Sequence, residues 1–122
     1  MGMTYIQLKV ANPKLARKSV SQRFLVDSGA IYTVAPNSIL KRLGIKPHSK
    51  RVFTLANGET AERQVGDALF AYRGQMAASP VVFGEKNDSN LLGTVTLESM
   101  GFILDPLQRE LKTLPMNLVA FR

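Results

Sequence analysis

At 122 residues and 45% hydrophobic, the chain suits one domain (residues 1–122) with one sizeable core, and its lack of cysteine excludes disulfides, thiolate metal sites and cysteine nucleophiles. Sixteen Lys and Arg against nine Asp and Glu leave a net charge of +7, but the positive residues are scattered, and the densest stretch, Lys41 to Arg51, interleaves no aromatic residue on which a base could stack; no specific nucleic-acid partner is expected. No apolar run approaches the roughly 18–20 residues of a membrane-spanning helix, and Met1-Gly2-Met3-Thr4 lacks the charged-then-apolar pattern of a secretory leader, so a cytoplasmic protein without a membrane partner is expected. Gly2 does not open a myristoylation motif, since Ile6 stands where Ser or Thr is wanted.

In Thr4 to Val10, apolar Ile6, Leu8 and Val10 alternate with polar Gln7 and Lys9, the period of two that marks a strand with one buried face. Asn12-Pro13 opens a turn, basic residues follow, and Phe24-Leu25-Val26 reads as a short apolar strand end directly before Asp27-Ser28-Gly29-Ala30. A short helix is expected within residues 34 to 43, with Asn37-Ser38 as a cap and Gly44 as its stop. Val52 to Leu55 and Thr60 to Val65 read as strands around Ala56-Asn57-Gly58-Glu59, where Asn-Gly favours a type I′ turn. Ala68 to Tyr72 and Met76 to Phe83 make a further hairpin around Gly74-Gln75, with Pro80 marking an edge or strand start. After the polar loop Lys86 to Asn90, Leu91-Leu92-Gly93 leads into a short helix over Thr94 to Met100 that ends at Gly101. Phe102 to Leu104 is a strand, Asp105-Pro106 a turn, and Glu110 to Lys112 and Leu118 to Phe121 final strands. Short strands spaced by roughly ten residues, with one or two short helices, imply an all-β fold built as a small closed β-barrel.

The single histidine, His48, lies in a solvated-looking Lys-Pro-His-Ser-Lys segment, and no Gly-x-Ser-x-Gly elbow exists, so a Ser–His–Asp triad has little to stand on. No His, Asp or Glu cluster has metal-ligand spacing, and no glycine-rich phosphate loop occurs; neither a metal nor another cofactor is expected. What remains is Phe24-Leu25-Val26-Asp27-Ser28-Gly29-Ala30. An acid directly after three large apolar residues should be at least partly buried, and a buried carboxylate must be paired, hydrogen-bonded or protonated. On these residues alone, a plain Asp-Ser-Gly turn at a strand end is the favoured reading. Asp105, before Pro106, reads as a turn former, and Asp67, after Gly66, as exposed.

The order of the parts goes further. A hydrophobic strand, Asp27-Ser28-Gly29-Ala30, a hairpin around Asn57-Gly58, Leu91-Leu92-Gly93 and the helix over Thr94 to Met100 together resemble the retropepsin-like aspartic proteases, the one-lobe group that includes retroviral proteases and their prokaryotic relatives. The prokaryotic members are most similar, through Leu55-Ala56-Asn57-Gly58, Leu97-Glu98 and Gly101 to Pro106. Retroviral members pair an acid just after the first motif with an Arg just after the later Gly; here those places hold Ile31 and Thr94, so both partners are absent together.

The resemblance implies a homodimeric aspartic endopeptidase acting on extended peptides. Asp27 would be the catalytic residue, one from each subunit. Ser28, Gly29, Ala30, Leu91, Leu92 and Gly93 would support the active-site loop, and Ala56, Asn57 and Gly58 would form a flap over the substrate. The partners would be a second copy of the chain and an extended peptide. Two readings from other classes stand beside it: a non-proteolytic dimeric peptide-binding or assembly module with the same fold, and a basic β-barrel that binds nucleic acid.

Overall fold

The computed structural model describes residues 3–114. The strand expected over Leu118 to Phe121 lies outside the described residues. In chain order the elements are β1 (Tyr5–Asn12), β2 (Leu15–Val26), β3 (Thr33–Pro36), α1 (Asn37–Arg42), β4 (Ser49–Thr54), β5 (Thr60–Tyr72), β6 (Gln75–Gly84), β7 (Leu91–Leu92), α2 (Thr94–Met100), β8 (Phe102–Asp105) and β9 (Glu110–Thr113). The chain is mostly β.

The main sheet runs β1-β2-β7-β3-β6-β5-β4, and β1 also pairs with β5 through Lys9–Ala71, Val10–Phe70 and Ala11–Leu69. Following the ladder from β1 through β2, β7, β3, β6 and β5 therefore returns to β1. One edge of β5 is shared end to end: its first half pairs with β4, its second with β1, while β6 occupies the other edge from Val65 onward. The hairpin of β4 and early β5 thus extends beyond the rest of the sheet. The strands β8 and β9 form a separate two-stranded sheet beside α2.

The alternation seen in the sequence decides what is buried. Leu8 and Val10 of β1 face inward while Gln7 and Lys9 are exposed. They meet Phe24, Phe70, Phe83 and Leu92, all fully buried, and Phe24 packs edge-on against Phe70 with ring centroids 6.3 Å apart. The helices end where glycine allows the left-handed turn: Gly44 follows α1 with φ 77° and Gly101 caps α2 with φ 90°.

Four local expectations are corrected. The strand ending at Phe24 to Val26 is not short: it is the 12-residue β2, which takes in the basic stretch before it. Both its faces between Leu15 and Ser19 are exposed, so no alternation betrays it. Thr60 to Val65 and Ala68 to Tyr72 are one continuous strand, β5, because Gly66 is not a turn. A Cβ there would lie 3.0 Å from the Phe83 ring and 3.1 Å from the Lys46 carbonyl oxygen, so the glycine serves close packing. The helix α1 has Pro36 as its N-cap and no side-chain cap bond, so Asn37-Ser38 does not cap it.

The Asn57-Gly58 turn is not type I′. Only Gly58 has positive φ; Leu55 N–H donates to Glu59 O and Gly58 N–H to Leu55 O, which closes a three-residue loop. Asn57 Oδ1 instead accepts the Glu59 N–H at 2.9 Å. The two-residue turn with both φ values positive occurs at Arg73 (49°) and Gly74 (80°), between paired Tyr72 and Gln75.

Candidate active site

The site is built where β7 lies between β2 and β3. It pairs in parallel with β2 (Leu25–Leu91, Val26–Leu92) and antiparallel with β3 (Val34–Leu91). Asp27 leaves the end of β2 half-buried, and its N–H donates to Leu92 O at 3.2 Å. Gly29 N–H donates to Asp27 Oδ1 at 2.8 Å and Ala30 N–H to Asp27 O at 3.0 Å, so the turn curls back onto its own carboxylate. The turn thus engages Oδ1, and the residue itself lines the cleft described below. A Cβ on Gly29 would sit 3.2 Å from Asp27 Oδ1, so glycine keeps the carboxylate uncrowded. Ser28 is exposed.

Leu91-Leu92-Gly93 braces this turn from the other side. A Cβ on Gly93 would fall 2.5 Å from Ile31 O and from Tyr32 C, both backbone atoms, so only glycine fits. Thr94 N–H then donates to Ala30 O at 2.9 Å and Val95 N–H to Ile31 O at 3.1 Å. These backbone bonds tie together the segments that hold Ile31 and Thr94. Ile31 itself is 64% exposed.

A buried hydroxyl chain, which the sequence did not reveal, holds Gly93. Gly93 N–H donates to Thr33 Oγ1 at 3.0 Å, Thr33 Oγ1 lies 2.6 Å from Thr96 Oγ1, Thr96 Oγ1 lies 2.7 Å from Ser79 Oγ, and Ser79 donates to Pro80 O at 3.1 Å. The last bond sets every proton. Since the Ser79 proton goes to a carbonyl, Ser79 accepts from Thr96, and Thr96 accepts from Thr33. One directed chain joins β6, α2, β3 and the glycine behind the active-site turn. Spacing could not have shown it, because Thr33 and Thr96 are 63 residues apart.

Asp27 opens into a cleft of about 1060 Å³ lined also by Ile31, Tyr32, Phe53, Leu55, Ala56, Asn57, Arg63, Asp88 and Leu91. The β4–β5 hairpin therefore lies over the same cleft as the acid, with Ala56 and Asn57 lining it and Gly58 at the exposed turn. Two contacts fasten the hairpin. Arg51 Nη1 donates to Tyr32 Oη at 2.6 Å, beside an edge-on Tyr32–Phe53 pair. Arg63 Nε and Nη2 donate to Asp88 Oδ2 and Oδ1 at 2.7 and 3.0 Å. Arg63's hydrogen bond holds the Asp88 carboxyl below its ordinary pKa, and the same bond raises that of Arg63. His48 pairs instead with Asp67 at 3.3 Å, both half-exposed and outside the cleft lining. Asp105 is the turn former expected, its Oδ1 accepting from the N–H groups of Leu107 and Gln108.

An acid at a strand end, braced by an apolar-apolar-Gly segment inserted between two strands and facing a cleft under a hairpin, defines the retropepsin-like class of aspartic protease. The fold is similar to the crystal structure of a retropepsin-like aspartic protease from Rickettsia conorii, with a TM-score of 0.58 and 23% identity over 85% of this chain and 77% of that one. Among curated proteins no relative matches by sequence. The family model described as "Aspartyl protease" matches residues 12–96, and the chain belongs to that family. It is a hydrolase of the peptidase class. Among the described residues, no helix is long and apolar enough to cross a membrane.

Proposed function

We propose that the chain is an aspartic endopeptidase that works as a homodimer, with Asp27 from each subunit forming one catalytic dyad. The observation that carries this is Asp27 itself: a half-buried acid, fixed by its own turn, at the mouth of a peptide-sized cleft. One such acid per chain needs a mate, and a two-fold contact brings identical residues together. The ring of strand pairings supports reading the main sheet as a closed barrel, and residues 1–122 as one protease domain.

Two carboxylates in contact cannot both ionise, so the pair holds one proton and titrates as a unit. The charged Asp27 takes a proton from a water, whose oxygen attacks the scissile carbonyl carbon. The protonated Asp27 gives its proton to the carbonyl oxygen, forming a neutral tetrahedral diol. Collapse breaks the C–N bond as the protonated carboxyl gives its proton to the leaving nitrogen and the other carboxylate takes one from a diol hydroxyl, which leaves the pair again sharing one proton. Ser28 and its mate hydrogen-bond across the axis and keep the two turns in register. Ala30, Leu91, Leu92 and Gly93 hold each turn, and Ala56, Asn57 and Gly58 close over the peptide and exclude water.

The test is cleavage of a mixed peptide substrate by the purified protein and by Asp27→Asn. Loss of cleavage with unchanged circular dichroism and dimerisation, together with inhibition of the parent by pepstatin, supports the reading. Peptide binding that survives the substitution, with no cleavage by the parent at any acidity, would replace it with a binding or assembly module.

A further inference from the structure

The cleft is lined by two chemically different kinds of group. Its lining includes apolar Ile31, Tyr32, Phe53 and Leu55 and also the Arg63–Asp88 pair. The pair bridges two separate segments, the hairpin strand β5 and the loop that leads into β7. Its side chains are only 17% and 19% exposed, so both charges are largely withdrawn from water. Arg63 needs a partner there for a further reason: its cross-strand neighbour is Arg51, a like charge. Asp88 also accepts the Glu85 N–H at 2.8 Å, and its own N–H donates to Glu85 O at 2.9 Å, which fixes the loop that presents it.

Both oxygens of Asp88 are engaged by Arg63, which leaves neither charge free for a ligand. The geometry points to Arg63–Asp88 as the specificity-determining element of the cleft: the two charges cancel within the wall, so the subsite beside them takes an uncharged residue of an extended peptide and rejects charged ones. This rests on the peptide cleft read above. A charged substrate side chain entering the subsite would lose water and meet a wall whose opposite charge is already paired. Removing one partner reverses the preference by exposing the other. Without the carboxylate, Arg63 is an unpaired cation lining the cleft; without the guanidinium, Asp88 is an unpaired anion.

A randomised library of ten-residue peptides, read by mass spectrometry, tests this in two formats: cleavage by the full chain, and capture by the same chain carrying Asp27→Asn, which reports binding without turnover. The parent should disfavour charged residues at one subsite. Asp88→Asn, which keeps an oxygen for the Glu85 N–H, should gain an about tenfold preference for Asp or Glu there, and Arg63→Gln a similar one for Lys or Arg. The exchanged double variant Arg63→Asp with Asp88→Arg should return to the neutral preference, and it keeps the test open if either single variant fails to fold. An unchanged residue preference across the folded variants, or a uniform loss on all peptides, overturns the inference, since a merely structural pair would lower everything alike. Capture with these preferences but no cleavage by the parent would uphold the subsite while removing the peptidase reading.

Discussion

Thr33→Val and Thr96→Val are nearly isosteric, yet they cut the buried hydroxyl chain at different places. Both threonines are fully buried, and among the described residues no buried side-chain polar atom lacks a partner, so each cut creates an orphan where none existed. Thr96→Val leaves the Thr33 hydroxyl proton without an acceptor; Thr33→Val leaves the Gly93 N–H without one. A buried unsatisfied group costs about 1–3 kcal/mol, so both variants should lose about 2 kcal/mol of stability. Their catalytic effects should differ. Gly93 stands against the Ile31–Tyr32 backbone with no room to spare, so freeing its N–H lets the active-site turn shift, whereas Thr96→Val keeps the Thr33–Gly93 bond. Urea denaturation followed by circular dichroism suits a chain with no tryptophan, and kcat on a cleavable peptide reads the site. The expected pattern is equal destabilisation, a kcat reduced at least about tenfold in Thr33→Val alone, and recovery in Thr33→Ser. Equal kcat in the two valine variants would refute the directed chain as the support of the turn.

Gly93→Ala should be more damaging than an ordinary core overpacking of about 1–3 kcal/mol, because the new methyl meets backbone rather than a movable side chain; soluble yield and peptidase activity should both collapse. The Asp88 carboxyl is held below its ordinary value of 3.8 chiefly by Arg63, so its stabilisation is present above that value and is lost as pH falls through its lowered one. Between about pH 6 and about pH 3, urea midpoints should therefore fall less for Asp88→Asn than for the parent, with Asp105 titrating in the same direction in both. Ser28→Thr adds a methyl at the expected two-fold contact and should tighten the dimer in sedimentation; an unchanged or weaker dimer would remove Ser28 from that contact.

Local chemistry made some of this legible and tertiary contact made the rest. Asp27 stands out because three apolar residues precede it, and Gly44, Gly93 and Gly101 stand out because close approach or positive φ demands glycine at each. The first part of β2 carries no such signal, because a ribbon exposed on both faces has no hydrophobic period. The Asn57-Gly58 turn departs from type I′ because dipeptide preference does not count loop residues, and here three rather than two separate Leu55 from Glu59. Thr33, Ser79, Thr96 and the Arg63–Asp88 pair are ordinary residues in sequence. They acquire roles only because β7 is inserted between β2 and β3 and draws distant segments around the acid.

The shared-acid proposal is tested most directly by mixing parent and Asp27→Asn chains at constant total protein, after exchange of subunits. If one dyad needs an ionisable Asp27 from both chains, equal mixing should leave about one quarter of the parent activity, the share of dimers with two intact acids. Activity of about one half, falling in proportion to the added variant, would mean that each chain acts alone and would contradict the dyad.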